Sequence, residues 1–207
     1  MGVYAFPHLT FQEYLAASDV ERRLAHSIEE IWAVIQPHLH DPHWREVILL
    51  LLGRLNKFER HPTELVRRIY ERTDEYEDVL HRHLFLAARA LADRVEVDAA
   101  LHDAIVDHLL DLARTGALEA LGQLQGDGRA AAGLLALARG PQVGAVVRGM
   151  AAKTLGQLGR ADEAAPILLA LARDDGAPDH VRSVAYDSLK SLLGGEGGAW
   201  EIMKIRK

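Results

Sequence analysis

Two short leucine-rich strings recur at a fixed interval of 34 residues in the second half of the chain. The string Leu-Gly-Gln-Leu occurs at 121–124 and 155–158, and a weaker form, Leu-Lys-Ser-Leu, occurs at 189–192. The string Leu-Leu-Ala-Leu-Ala-Arg occurs at 134–139 and again at 168–173. A repeat of this length indicates units that bury their apolar surface by stacking on their neighbours. Each unit must therefore contain two alternating motifs.

Both motifs predict helices rather than strands. Leucine and alanine recur three and four positions apart within each string, which is the spacing of one helical face. The segments between the breaks are 10 to 16 residues long, which is too long for most strands. Gly or Pro marks the breaks at 126–128, 140–141, 159–160, 176–178 and 194–195. The sequence therefore predicts an all-α fold, built as a right-handed α-solenoid of helical hairpins.

Several residue pairs in the repeats follow one order: Val-Arg, then Ala-Ala, then Leu-Gly, and later an acidic loop. They are Val147, Arg148, Ala151, Ala152, Leu155, Gly156, Asp174, Asp175, Val181, Arg182, Ala185 and Leu189. This order resembles HEAT repeats of the short, PBS-lyase-like type, over about residues 84–193. The resemblance implies that Asp174 or Asp175 pairs with Arg182 and holds neighbouring units in register. The unit at 115–139 is shorter and lacks the Val-Arg pair.

The first 83 residues differ in composition, because they hold nine of the twelve aromatic residues. We therefore expect a separate helical module at 1–83, HEAT-like repeats at 84–193 and a C-terminal tail at 194–207. Trp200 in the tail either covers the apolar end of the last repeat, as solenoids require, or binds a partner.

The most distinctive string of the first module lies at 6–17 and predicts a helix that begins near Thr10. Thr10 and Glu13 have the spacing of a capping box, in which each side chain serves the other residue's backbone N–H. Phe11, Tyr14 and Leu15 would then form one apolar face of that helix.

This string and two later ones match a family pattern in the same order along the chain. The matched residues are Phe6, His8, Leu9, Thr10, Phe11, Gln12, Glu13, Tyr14, Leu15, Ala16 and Ala17, then Trp44, Glu46, Val47 and 49–52, and finally Leu84, Leu86, Ala87, Ala88 and Arg89. The pattern resembles the helical region that follows the nucleotide-binding core of NACHT-type STAND NTPases, which are bacterial relatives of animal NLR proteins. Pro7 departs from the usual apolar residue.

The resemblance implies a region that senses a ligand and controls an NTPase core, in signalling or in defence against phage. Those NTPases bind nucleotide through a Gly-rich loop that ends in Lys-Ser/Thr, and this sequence contains no such loop. Its one Lys-Thr pair, 153–154, lies in a repeat helix. We therefore expect the C-terminal part of such a protein, or a detached homologue, with no enzymatic activity and no cofactor. Its partner would be a protein ligand or an NTPase core in the same polypeptide.

Charge and hydropathy narrow the location and the partners. A formal net charge of −6 and a pI near 6.0 disfavour non-specific binding to nucleic acid. The longest apolar run, 47–52, is too short to cross a bilayer, and the first residues lack the features of a signal peptide. These features predict a cytoplasmic protein with no membrane partner.

Two other functions remain open on the same sequence. The first is a stand-alone HEAT-repeat scaffold. The second is a HEAT-fold enzyme, because DNA-alkylation glycosylases and bilin lyases share this architecture. A glycosylase needs a basic concave face, whereas residues from 84 onward carry 14 Lys and Arg against 16 Asp and Glu. A salt-sensitive gel shift with duplex DNA would favour the glycosylase.

Histidine is frequent, with 11 in the chain, and the densest group is His38, His40, Asp41 and His43. Imidazole and carboxylate suit zinc, but flanking prolines place the group in a turn between helices, so solvated histidines are expected there. His81 and His83 lie two positions apart on a predicted helix and cannot face one ligand, so neither is assigned a role. No metal site is predicted.

Three arginines close the Leu-Leu-x-Leu-Ala-Arg strings: Arg114, Arg139 and Arg173. If the units stack, these side chains would lie in a row and bind carboxylates or phosphates of a partner. The alternative is structural, because a cation is favoured at a helix C-terminus. Asp107 and Asp111 would weaken any positive field, and the five residues together form the candidate interaction surface.

Overall fold

The computed structural model describes residues 8–58, 61–113 and 117–192. Within these ranges the chain forms twelve α-helices and two short 3-10 helices, and it contains no strand. The prediction of an all-α fold is confirmed. The chain divides into two compact units, one up to Ile105 and one from Val106 onward. This boundary lies inside a helix, whereas the sequence pattern placed the change after residue 83.

The first unit contains six helices and the beginning of a seventh. They are α1 (Leu9–Leu24), α2 (Ile28–Ile35), α3 (Pro42–Arg54), α4 (His61–Tyr70), α5 (Glu77–Leu80), α6 (Arg82–Ala92) and α7 (Ala99–Leu112), which crosses the boundary. Helix α1 packs on α3, and α6 packs on both α3 and α4. The core between them is aliphatic, with Ile31, Ile48, Leu52, Leu65 and Ile69 fully buried.

Helix α1 begins one residue earlier than the sequence indicates, and the predicted capping box is wrong. The N-cap is His8, which makes no side-chain capping hydrogen bond, and Thr10 lies inside the helix. A capping box needs the Thr in an extended cap conformation, and here the extended residue is His8.

The second unit contains the last part of α7 and five further helices. They are α8 (Leu118–Gln123), α9 (Gly128–Arg139), α10 (Ala145–Gln157), α11 (Ala161–Ala172) and α12 (Asp179–Leu192). The helices end and begin at the Gly and Pro breaks that the sequence shows at 126–128, 140–141, 159–160 and 176–178. Each of α9, α10 and α11 packs on the next helix, and contacts also join α8 to α10, α9 to α11 and α10 to α12.

The glycine of each Leu-Gly pair lies where alternate helices meet. A Cβ atom on Gly122 of α8 would lie 3.2 Å from Thr154 Cγ2 of α10. A Cβ atom on Gly156 of α10 would lie 2.5 Å from Leu192 Cδ2 of α12. The 34-residue period of the sequence is therefore also a period of the helix contacts.

None of the helices in the described ranges combines the length and apolar content needed to cross a bilayer. Three sequence features lie outside the described residues: Phe6 of the first string, the break at 194–195 and Trp200.

Candidate functional site

Three connections between helices of the first unit bring two histidines and one aspartate together. His40 lies in the turn before α3, Asp74 in the connection between α4 and α5, and His83 in the first turn of α6. One nitrogen or oxygen atom from each side chain lies within 4.8 Å of the other two. His40 Nε2 is 2.7 Å from Asp74 Oδ2, and His83 Nε2 is 3.8 Å from the same oxygen. We call these three residues the His-Asp-His cluster.

His83 is the buried member of the cluster, with only 1% of its side chain exposed. Its Nδ1 atom lies 2.9 Å from the carbonyl oxygen of Arg72 and 3.1 Å from Glu77 Oε2. Only the carbonyl contact has hydrogen-bond geometry, so we assign the Nδ1 proton to that bond. Within the described ranges, Nε2 has no hydrogen-bond partner.

The backbone around His83 is held by a carboxylate from the preceding helix. Glu77 Oε1 accepts hydrogen bonds from the backbone N–H groups of His83 (2.9 Å) and Leu84 (3.4 Å). His81, between α5 and α6, adopts a left-handed conformation with φ 47° and turns the chain into α6. Glu77 thus serves donors at the start of α6 that have no partner within the helix.

Asp74 is oriented by its own turn. Its Oδ1 accepts a hydrogen bond of 3.1 Å from the backbone N–H of Tyr76, which leaves Oδ2 facing the two imidazole rings. The Tyr76 N–H lowers the pKa of the Asp74 carboxyl below its ordinary value, and His83 and His40 act in the same direction. The carboxylate is therefore ionised at neutral pH.

The histidine group seen in the sequence does not converge on one point. His38 stacks on Trp44 with the ring centroids 4.0 Å apart, and Asp41 caps α3 by accepting from the backbone N–H of His43 at 2.9 Å. The His43 side chain is 84% exposed and lies 3.2 Å from Asp41 Oδ1. Only His40 turns to the cluster, and it meets residues 34 and 43 positions later in the chain.

Sequence reasoning missed Asp74 and assigned no role to His83. The one local signal was His83 itself, a histidine in the apolar segment that becomes the buried face of α6. Its cluster partners come from other connections, and no spacing in the sequence links the three.

The structure describes two of the three arginines that the repeats place in a row. Arg139 is the last residue of α9 and Arg173 is the C-cap of α11, and both are exposed. Arg114 lies outside the described residues. A cation at a helix C-terminus is the arrangement that the structural alternative requires.

Asp107 and Asp111 have different surroundings. Asp107 forms a two-pronged ion pair with Arg129, at 2.8 Å from Nε and 2.5 Å from Nη2, and this pairing lowers the pKa of Asp107. Asp111 is exposed and lines an open groove of about 330 Å³ beside Gly133 and Val143. Sequence reasoning did not anticipate the partnership with Arg129.

The two arginines of the Val-Arg pairs also make separate contacts. Arg148 Nε of α10 donates a 3.2 Å hydrogen bond to the carbonyl oxygen of Ala138, near the end of α9. Arg182 Nη1 lies 3.3 Å from Asp175 Oδ1, and its Nη2 also contacts Asp179. Asp174 instead accepts from the backbone N–H of Gly176 within its own turn. The contacts of Arg182 are thus local to the start of α12.

The apolar side chains of the first string lie largely in solvent. Phe11, Tyr14 and Leu15 are 59%, 48% and 44% exposed. At 3.6 residues per turn, their mean direction lies about 120° from that of the buried residues of α1. Those buried residues are Ala17, Val20 and Glu21. We call Phe11, Tyr14 and Leu15 the exposed face of α1.

The exposed face of α1 borders a groove of about 640 Å³ whose lining includes Leu15, Glu21 and Arg54. Arg54 Nε donates to Glu21 Oε2 at 2.6 Å, and its guanidinium carbon lies 5.0 Å from the centroid of the Tyr14 ring.

Comparisons with protein-family models, with curated proteins and with solved structures give no significant match. The function must therefore be argued from the residues and their geometry.

Proposed function

We propose that the chain is a non-catalytic region of a NACHT-type STAND NTPase that binds a protein partner and senses a ligand, in signalling or in defence against phage. In this proposal the exposed face of α1 docks on the NTPase core, and the repeats form a right-handed α-solenoid of HEAT-like hairpins.

The observation that carries the proposal is the exposure of Phe11, Tyr14 and Leu15. These residues belong to the string that resembles the segment next to a NACHT core, and they contribute little to the core of their own unit. A cluster of large exposed apolar side chains is typical of a surface that another protein covers. A domain adjoining α1 is the occupant that the resemblance supplies.

The packing of the second unit supports the solenoid part of the proposal. Stacked hairpins require each helix to contact its neighbour in sequence and also the equivalent helix of the next unit. The contacts of α10 with α9, α11, α8 and α12 follow this scheme. Gln125 adds to it, because its Nε2 atom donates to the carbonyl oxygens of Gly122 and Gln157, each at 3.0 Å, and so joins the ends of α8 and α10.

The first experiment is to read the genomic DNA upstream of this coding segment. An in-frame Gly-rich loop that ends in Lys-Ser/Thr would supply the missing core and support the proposal. An upstream frame without such a loop would favour a stand-alone scaffold. ATP hydrolysis by the chain itself, well above background, would contradict the non-catalytic assignment.

The second experiment uses that core, expressed as a separate protein, and measures its binding to the chain. We expect replacement of Phe11, Tyr14 and Leu15 by Ser to weaken binding at least tenfold, because each loses about 1.5 kcal/mol or more of apolar burial at the contact. Val79→Ser is the matched control, because Val79 is 77% exposed but lies outside α1. Equal binding by the triple variant and the control would contradict docking through this face.

A further inference from the structure

We propose that the His-Asp-His cluster binds one divalent transition-metal ion, with Zn²⁺ as the best-matched metal, through His40 Nε2, Asp74 Oδ2 and His83 Nε2. This proposal is independent of the proposed function, because it uses none of the residues of the exposed face of α1.

The strongest argument is the state of His83. Donation of the Nδ1 proton to the Arg72 carbonyl leaves the lone pair of the neutral ring on Nε2. A buried nitrogen without a partner is unusual, because buried polar atoms are almost always satisfied. Metal-binding histidines have this arrangement: one ring nitrogen donates to a carbonyl or carboxylate, and the other binds the ion.

The other two donors lie at suitable distances from this atom. With zinc bonds of about 2.0–2.1 Å, neighbouring donors of a tetrahedral site lie about 3.3 Å apart. The two distances from Asp74 Oδ2, 2.7 Å to His40 Nε2 and 3.8 Å to His83 Nε2, lie on either side of that value. Movements of well under 1 Å would bring the three donors to the spacing of a zinc site.

Each donor is already oriented by contacts outside the cluster. The Tyr76 N–H occupies Asp74 Oδ1, so that Oδ2 is directed to the rings. Glu77 anchors the start of α6, which carries His83. The His40 ring stands 4.8 Å from the His83 ring, centroid to centroid. Ligands held in place by such outer contacts lose little freedom when the ion binds.

The donor types determine which metal fits. Two imidazoles and one carboxylate suit zinc and its neighbours in the first transition row, whereas calcium and magnesium prefer six or more oxygens. Three protein ligands leave a fourth position for water, and His40 and Asp74 are accessible to solvent. The site is therefore of the open type rather than of the closed four-ligand type.

The experiment is a titration of the chelator-treated full chain with Zn²⁺ in competition with a chromophoric chelator, together with native mass spectrometry. We expect one ion per chain. We also expect Co²⁺ in place of zinc to give the intense visible absorption of a four-coordinate site. His40→Ala and Asp74→Asn should each weaken binding by roughly 100-fold or more, because loss of an outer contact alone costs 10–100-fold.

The variants are chosen so that folding does not confuse the result. His40 and Asp74 are accessible, and Asn at 74 retains the oxygen that accepts from Tyr76. Thermal melting in the presence of chelator should be similar for both variants and the parent chain. His43→Ala is the control for adventitious binding, because this histidine is 84% exposed and belongs to the neighbouring loop.

Two outcomes would overturn the proposal. The first is the absence of stoichiometric zinc binding by the parent chain. The second is zinc binding that His40→Ala and Asp74→Asn leave intact, or that His43→Ala weakens equally. Either result would reduce the cluster to a hydrogen-bonded and ionic contact between three connections.

Discussion

Glu21 of α1 and Arg54 of α3 are joined by a hydrogen bond of 2.6 Å between charged groups, and Glu21 is one of the few buried charged residues of the described chain. Lys57, after α3, contacts the other oxygen of the same carboxylate. Helix α1 buries little apolar surface of its own, with only Ala17 and Val20 in the core. The attachment of α1 to α3 therefore depends strongly on this ionic contact.

We expect Arg54→Met to lower the free energy of unfolding by about 1.5–3 kcal/mol, because it removes a charged hydrogen bond from a buried carboxylate. Arg22→Met is the matched control: Arg22 is 79% exposed in its ion pair with Asp19, so its loss should cost about 1 kcal/mol or less. Urea unfolding followed by tryptophan fluorescence in a Trp200→Phe background would report on Trp32 and Trp44 of the first unit. Equal losses for the two variants would contradict the importance of the contact.

The Glu21 contact should also make stability depend on pH. The hydrogen bond from Lys57, followed by that from Arg54, lowers the pKa of Glu21 below its ordinary value of 4.5. A carboxyl with a lowered pKa in the folded state contributes stability above its unfolded pKa and loses that contribution as the pH falls through the folded value. The advantage of the parent chain over Glu21→Gln should therefore be complete at pH 7 and should shrink below about pH 4.5. Unfolding curves at a series of pH values test this, and a difference that stays constant down to acid pH would contradict it.

Two glycines of α10 should respond to alanine with opposite signs. A Cβ atom on Gly156 would lie 2.5 Å from Leu192 Cδ2, so Gly156→Ala should destabilise the second unit by about 1–3 kcal/mol. A Cβ atom on Gly149 would lie 3.8 Å from Leu171 Cδ1, an ordinary contact, so Gly149→Ala should stabilise the unit by about 0.5–1 kcal/mol. Chemical unfolding monitored by far-UV circular dichroism gives both values. The addition of Leu192→Ala should relieve most of the clash in Gly156→Ala, and a loss that persists would point to another cause.

Asp98 holds the start of α7 in two separable ways. Its Oδ1 accepts from the backbone N–H of Leu101 at 2.7 Å, and its Oδ2 lies 2.8 Å from Arg67 Nη2. Asp98→Asn keeps a capping oxygen and loses only an exposed ion pair, so it should cost about 1 kcal/mol or less. Asp98→Ala also removes the cap and should cost about 1 kcal/mol more. Urea unfolding of both variants separates the two contributions, and equal costs would mean that the cap contributes nothing.

Much of the helix pattern could be predicted from the sequence because it depends on local properties. Glycine and proline interrupt helices wherever they occur in the chain, so the breaks in the second unit could be placed from composition alone. The spacing of leucine and alanine likewise identifies a helical face without knowledge of its partner. The start of α1 was placed wrongly because two residues, His8 and Thr10, compete for the cap, and the conformation of the preceding chain decides between them.

By itself, the sequence determined that the described chain is helical and where most helices of the second unit begin and end. Only the tertiary structure decided that His40, Asp74 and His83 meet, because they belong to three connections whose separation depends on the packing of α3, α4 and α6. The same packing decided that Phe11, Tyr14 and Leu15 face solvent. Periodicity indicates which residues share a face, but the side that finds a partner depends on surfaces contributed by distant parts of the chain.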